Sequence, residues 1–216
     1  MNDDDEQDGG SEPCFAHMVV DGHVVDPDTA RDVARYRKSE RLRLYALRKA
    51  VPLEQRRQMA VAVADGLDHE ITNVEGAVIA VYWPIRGELD LRGWMNQLHR
   101  QGATVALPVV IEHDQPVAFH KWSPDSTMRR GVWGIPVPET ITAVQPDVIV
   151  IPLLGVDENR FRLGNGGGYY DRTLARMPAD TICIGVGHDF SKLKTIFPLP
   201  WDIPMHRVIL SDGKVW

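Results

Sequence analysis

An α/β fold in three layers, with helices on both faces of a largely parallel sheet, is the class this sequence predicts. Three observations predict it. From residue 76 onward short apolar runs alternate with helical or turn segments, the β-then-α rhythm of parallel sheets. The most apolar run, residues 146–154 (PDVIVIPLL), shows no polar alternation, as a strand covered on both faces requires. A glycine-rich turn then separates that run from the next helical stretch.

Residues 1–12 carry Asp3, Asp4, Asp5, Glu6, Asp8 and Glu12 with no basic residue, and read as a disordered acidic tail. These acids match the whole formal net charge of −6, so the remaining chain is formally neutral and the acidic balance says little about its partner. Residues 13–27 hold short apolar runs around Asp21 and Gly22, the pattern of a small hairpin or a packed arm. Residues 13–30 form an N-terminal arm, and residues 31–216 a single α/β domain.

Asp26, with Pro27 as first helical residue, or Asp28 caps a helix that continues through Lys49. A second helix is expected over residues 53–73, with Ala60, Val63, Ala64, Leu67 and Ile71 on one face. Residues 76–84 (GAVIAVYWP) read as a buried strand, and residues 90–100 as a helix. Shorter strands follow at 103–110 and 117–122. Residues 146–154 form a central strand, 169–177 a helix, and 181–186 another strand.

With 216 residues, 44% of them hydrophobic, the chain has enough apolar material for a core. No run of about 18 apolar residues is present to span a membrane. The acidic N-terminus lacks the basic and then apolar character of a signal peptide, and two cysteines, Cys14 and Cys183, fit a reducing compartment. A cytoplasmic protein is expected. Cys14, His17 and His23 lie close together, but without CxxC or HxxxH spacing no zinc site is expected there. Cys183, inside TICIGV, reads as a core thiol.

The most informative segment is residues 159–174, NRFRLGNGGGYYDRTL. Gly164, Gly166, Gly167 and Gly168 let backbone amides turn toward a ligand without Cβ obstruction, and such a nest favours phosphate. Arg162 and Arg172 flank it, and Asp171 is placed to meet a magnesium ion carried by a nucleotide. No lysine follows to make a P-loop, and the spacing breaks the dinucleotide pattern GxGxxG. A tight turn without a ligand is the competing reading.

Residues 31–57 hold ten of the 24 basic residues. At about 100° per residue, Arg37, Arg41, Leu44 and Arg48 fall within roughly 60° of one another. Three guanidinium groups on one face suit phosphates. A solvated basic face or a nucleic-acid backbone would use the same charges.

RLGNGGGYYDR at 162–172 resembles the RLGxGxGYYD motif of the 5-formyltetrahydrofolate cyclo-ligases, also called methenyltetrahydrofolate synthetases. Further segments keep that family's order. Arg37 and Arg41 resemble its KxxLR helix motif, YWPIRGE at 82–88 its strand–loop segment, and ALPV at 106–109 its next strand. WGIPVP at 133–138 resembles its GIxEP turn, and PWDIP at 200–204 its C-terminal segment. The resemblance covers about residues 37–210 and leaves the first 30 or so outside it.

The resemblance implies a Rossmann-like fold and an ATP- and magnesium-dependent ligase of one-carbon metabolism. The formamide oxygen of 5-formyltetrahydrofolate attacks the γ-phosphate of ATP, the folate's N10 nitrogen closes the ring, and phosphate leaves. Carried over by position, Arg37, Arg41, Arg162, Leu163, Gly164, Asn165, Gly166, Gly167, Gly168, Tyr169 and Tyr170 bind ATP. Asp171 binds magnesium, Trp83 and Glu88 contact the folate, and Glu88 with Arg162 are the catalytic residues. ATP and a reduced formylated folate are the expected partners; nucleic acid and membrane are not. Val137 stands where the family has glutamate, and Ser191 near an expected glutamine. These changes keep open a relative acting on another formamide or carboxylate, and the basic helix keeps open a nucleotide- or nucleic-acid-binding regulator without enzymatic activity.

Overall fold

The computed structural model describes residues 18–20 and 22–216; the acidic tail, Cys14 and His17 lie outside the described residues. Strands β1 (Met18–Val20) and β2 (His23–Val25) pair antiparallel, so the arm takes the hairpin form. Helix α1 (Pro27–Ala50) starts where the sequence asks. The Asp26 carboxylate accepts from the Thr29 amide at 2.9 Å, and Pro27 occupies the first turn. Pro52 disfavours helical geometry at Val51, and α1 ends there.

Helix α2 (Leu53–Glu70) buries Ala60, Val63 and Leu67. It stops before residue 73 because Ile71 leaves helical geometry to enter the core. Strand β3 (Val78–Ala80) is shorter than the apolar run around it. Val81 still donates to the Ala106 carbonyl at 2.9 Å, but Pro84 and the left-handed Arg86 and Gly87 turn the chain into a loop. Helix α3 (Arg92–Arg100) and strands β4 (Thr104–Val109) and β5 (Ala118–Trp122) follow as expected.

A hairpin of β6 (Met128–Arg130) and β7 (Pro136–Pro138) comes next, which no periodicity announces in strands this short. Strand β8 (Val148–Pro152) is the buried apolar run. Strands β9 (Gly155–Asp157) and β10 (Arg162–Leu163) then lead through the glycine loop to α4 (Tyr169–Leu174). The helix is shorter than residues 169–177 because its last turn tightens. Arg176 donates to Thr173 and Met177 to Leu174, three residues back, and Pro178 follows. Strands β11 (Ile182–Gly187), β12 (Lys192–Leu193) and β13 (Arg207–Leu210) complete the described elements, the last two without a sequence signal of their own.

Six strands form the main sheet in the order β13-β11-β8-β3-β4-β5; all neighbours run parallel except the edge pair β4 and β5. On one face, Val63 and Leu67 of α2 and Trp94, Met95 and Leu98 of α3 pack with Ile79, Val105 and Val150. On the other, Leu174 of α4 packs with Ile149, Ile151 and Val208. Burying a Leu or Ile side chain stabilises by roughly 1.5–3 kcal/mol, so these two clusters fix the sheet between its layers. The expected mixed α/β fold with a large, mostly parallel sheet is therefore the one formed.

A second sheet, β10-β9-β12, is pinned to α1 by Leu44, which packs with Leu154, Leu163 and Leu193. Buried Asp157 accepts from the amides of Asn159 and Phe161 at 3.0 Å and of Ile196 at 3.1 Å. Those bonds tie the turn before the glycine loop to the strand beside it.

Candidate active site

Chain order places the β3–β4–β5 path on one side of β3, and β8 on the other. After β3 the chain runs to α3 on one face; after β8 it runs to α4 on the opposite face. The loops leaving the carboxyl ends of these two adjacent strands therefore diverge, opening the crevice where parallel α/β sheets bind ligands. One loop carries Glu88, and the other carries residues 162–171.

Helix α1 lies across this opening and supplies Arg37, Arg41, Tyr45 and Arg48 on successive turns of one face. Arg41 donates through Nε to the Gly164 carbonyl at 2.8 Å. Its guanidinium carbon stands 3.3 Å from where a Cβ on Gly166 would lie, and Gly166 has φ of +100°, so only glycine fits this approach. Among the described residues no carboxylate pairs with Arg41 within 4.0 Å. Burial, then the nearby Arg37 charge, lowers its hold on its proton, and Arg162 adds to this. Tyr45 donates its hydroxyl to Asn165 Oδ1 at 2.6 Å. The one signal the sequence gives for Tyr45 is its place one turn beyond Arg41.

Arg162 is buried, pairs with Asp171 at 2.9 Å and lies over the Tyr170 ring at 5.3 Å. Its Nε has no partner. Arg172 closes the far side of the loop. It donates to the Gly167 carbonyl at 2.5 Å and lies over Tyr169 at 5.3 Å, while Tyr169 meets the exposed Trp133 edge-on at 5.3 Å.

Glu88 enters from the β3 side. Its Oε2 accepts from the Ile85 amide at 3.0 Å, and Oε1 lies 3.9 Å from Arg48 Nη1. Burial raises its pKa above the ordinary carboxyl value, opposed by the Ile85 amide, the Arg48 charge, the Asn165 side chain and Arg86. The Tyr170 hydroxyl is likewise pushed up by burial and by the Glu88 charge. Glu88, Asn165, Tyr170, Arg162, Asp171 and Arg41 thus belong to one connected cluster.

Three sequence-predicted residues stand apart from it. Arg37 pairs with Asp202 of the PWDIP segment and donates to the Ile196 and Phe197 carbonyls, each at 2.9 Å, which uses its guanidinium to fasten α1 to the chain before β13. In the sequence Asp202 stands out only as part of the PWDIP motif. Leu163 is buried in the α1 cluster, and its carbonyl accepts from Leu154. Trp83 packs at the α2–α3 core with Arg92 over its ring at 5.1 Å. Val137 is buried in β7. Ser191 is buried with no partner for its hydroxyl, and neighbouring His188 is buried with neither ring nitrogen bonded.

A magnesium ion that travels with nucleotide phosphates needs few protein ligands, commonly one or two carboxylates. Asp171 meets that requirement. It is a partly buried carboxylate at the end of the glycine loop, with Oδ2 held by Arg162. The donor set is oxygen only, as a hard cation prefers.

Residues 33–211 match the 5-formyltetrahydrofolate cyclo-ligase family. The 5-formyltetrahydrofolate cyclo-ligase of Escherichia coli is 32% identical over 176 residues, which span 78% of this chain and 96% of that one. The enzyme of the same name from Mycolicibacterium smegmatis is 30% identical over 172 residues, 73% and 88% of the two chains. The NMR structure of Aquifex aeolicus 5,10-methenyltetrahydrofolate synthetase superposes with a TM-score of 0.71 at 26% identity, covering 83% of this chain and 91% of that one.

Proposed function

The chain belongs to the 5-formyltetrahydrofolate cyclo-ligase family, and on that basis we propose that it converts 5-formyltetrahydrofolate to 5,10-methenyltetrahydrofolate with ATP. The observation that carries this reading is the meeting of Arg41 and Arg162 at the glycine loop, one side chain away from the buried Glu88.

The chemistry sets what the residues must do. An amide oxygen is a poor leaving group, so the formyl oxygen attacks the γ-phosphorus and ADP departs. The folate's N10 then adds to the formyl carbon and loses its proton. The carbon–oxygen bond breaks, and phosphate leaves with the former formyl oxygen. Phosphoryl transfer needs in-line positioning and charge neutralisation more than covalent help from the protein. Arg41 and Arg162 neutralise phosphate charge, and the amides of residues 164–168 orient it. Asp171 would hold a phosphate-borne magnesium ion, which supplies further neutralisation of the transferring group.

Glu88 orients the folate and accepts the proton from N10. A carboxyl raised by burial is a stronger base than one in water, which suits that step. Purified protein with ATP, magnesium and 5-formyltetrahydrofolate is expected to develop the methenyl chromophore with one ADP per turnover. Absence of the chromophore at high protein concentration would overturn the folate assignment. No described helix is long and apolar enough to cross a membrane. We expect the reaction to run in the cytoplasm.

Buried Val137 and the unpartnered Ser191 favour one second reading, in which the same ATP end activates another formamide or a carboxylate. ADP release that depends on such a compound, without chromophore from the folate, would select it.

A further inference from the structure

Arg48 is the third arginine of the α1 face, and ATP binding leaves it without a task. Its side chain is 2% exposed, among the largest fully buried side chains described. One nitrogen, Nη2, donates to the Leu153 carbonyl at 2.8 Å at the end of β8, which anchors the guanidinium. Its Nε and Nη1 have no hydrogen-bond partner. A buried guanidinium with two idle nitrogens is costly unless an anion compensates its charge. Within 4.0 Å the carboxylate of Glu88, itself 6% exposed, is the partner present.

The chain has shaped itself around this approach. Gly87, with φ of +77°, would place a Cβ 3.2 Å from Arg48 Cγ and 3.2 Å from Arg56 Nη1. A side chain there would push the Glu88 loop off the arginine.

We propose that Arg48 is a positioning residue of the reaction, holding the Glu88 side chain oriented and in its carboxylate form toward the folate. The proposal rests on the role assigned above to Glu88. The groups facing Glu88 are few enough to name. Arg48 comes from α1, Arg56 from α2 beside Gly87, Asn165 from the glycine loop, Tyr170 from α4, and Tyr82 and Arg86 from its own segment. Both tyrosines are pushed up by burial and stay neutral through the working range. His188, which also feels the Arg48 charge, is pushed down to about 4 by burial and by the Arg48 and Arg56 charges, so it too is neutral above that pH. Of the charges that oppose protonation of Glu88, Arg48 is the buried one at ion-pair distance, whereas Arg86 is exposed.

The test is a carboxyl titration by NMR on protein labelled with glutamate carrying 13C at the side-chain carboxyl, with Glu88 assigned by its loss in Glu88→Gln. An opposite charge within about 4–6 Å lowers a carboxyl pKa by about 1–3. In Arg48→Met the Glu88 midpoint is expected to rise by about one pH unit or more, with Arg48→Lys remaining closer to wild type. Should the Met variant fail to fold, Arg48→Gln removes the charge and keeps a donor for Leu153. The acid limb of kcat/KM is expected to move upward with the midpoint. An unmoved midpoint in the uncharged variant overturns the proposal, as does a lysine variant displaced as far as the uncharged one. The titration needs no turnover. A shifted midpoint in a protein inactive on 5-formyltetrahydrofolate leaves Arg48 in place and removes the folate reading alone.

Discussion

At Arg41 a guanidinium meets two other cations and a backbone carbonyl. Among the described residues no carboxylate pairs with it within 4.0 Å, Asp202 acting on it only from farther off, so most of its charge is free to meet an anion. Charge-assisted hydrogen bonds are worth roughly 1.5–3 kcal/mol, or about one to two decades in affinity. Arg41→Met is accordingly expected to raise KM for ATP at least about tenfold with folding intact, measured by steady-state kinetics and circular dichroism; an unchanged KM would remove Arg41 from the phosphate site. Arg37 makes a different case. It is tied to Asp202 and two carbonyls, so Arg37→Met is expected to lower the melting temperature as well as activity. For Asp171, alanine is expected to raise the magnesium concentration needed for half-maximal turnover. A magnesium dependence identical to wild type would take the ion from it.

Among the elements, the glycine loop is the one the sequence displays most openly, because its chemistry is local: four glycines, a flanking arginine and an aspartate within one short stretch. Its partners were harder to see. Tyr45 lies 120 residues from Asn165, and Asp202 lies 165 residues from Arg37, separations that no periodicity spans. Gly166→Ala places a side chain at a left-handed φ against Arg41, which costs about 1–2 kcal/mol. Turnover is expected to fall with it, which melting curves and kinetics on one preparation would show; a neutral substitution would contradict the close approach. The end of β11 carries a pH effect. His188 has its pKa pushed down to about 4 by burial and by Arg48 and Arg56, whereas in the unfolded chain it titrates near 6.5. Its neutral form is present in both states above pH 6.5. As pH falls from 6.5 toward 4 the unfolded chain gains a proton the fold does not, and stability drops by at most about 1.4 kcal/mol per pH unit. Substituting His188 by Phe is expected to flatten that acid decline in denaturant titrations.

For the whole molecule, apolar runs and the β-then-α rhythm were enough to foresee a mostly parallel sheet with helices on both faces, because burial on two faces writes itself into composition. Strand order was not foreseeable, since it depends on which crossovers the helices make. That order, with β3 and β8 adjacent and their connections diverging, brings the Glu88 loop and the glycine loop together. The short strands of the second sheet and of the β6–β7 hairpin escaped notice because two or three residues carry no readable alternation. In the proposed reaction, ATP at the glycine loop phosphorylates the formyl oxygen of a folate held at Glu88. That transfer is tested most directly with 5-formyltetrahydrofolate labelled with 18O in the formyl group, by mass spectrometry of the phosphate released. One labelled oxygen in each phosphate is the result expected; methenyl product formed alongside unlabelled phosphate would contradict it.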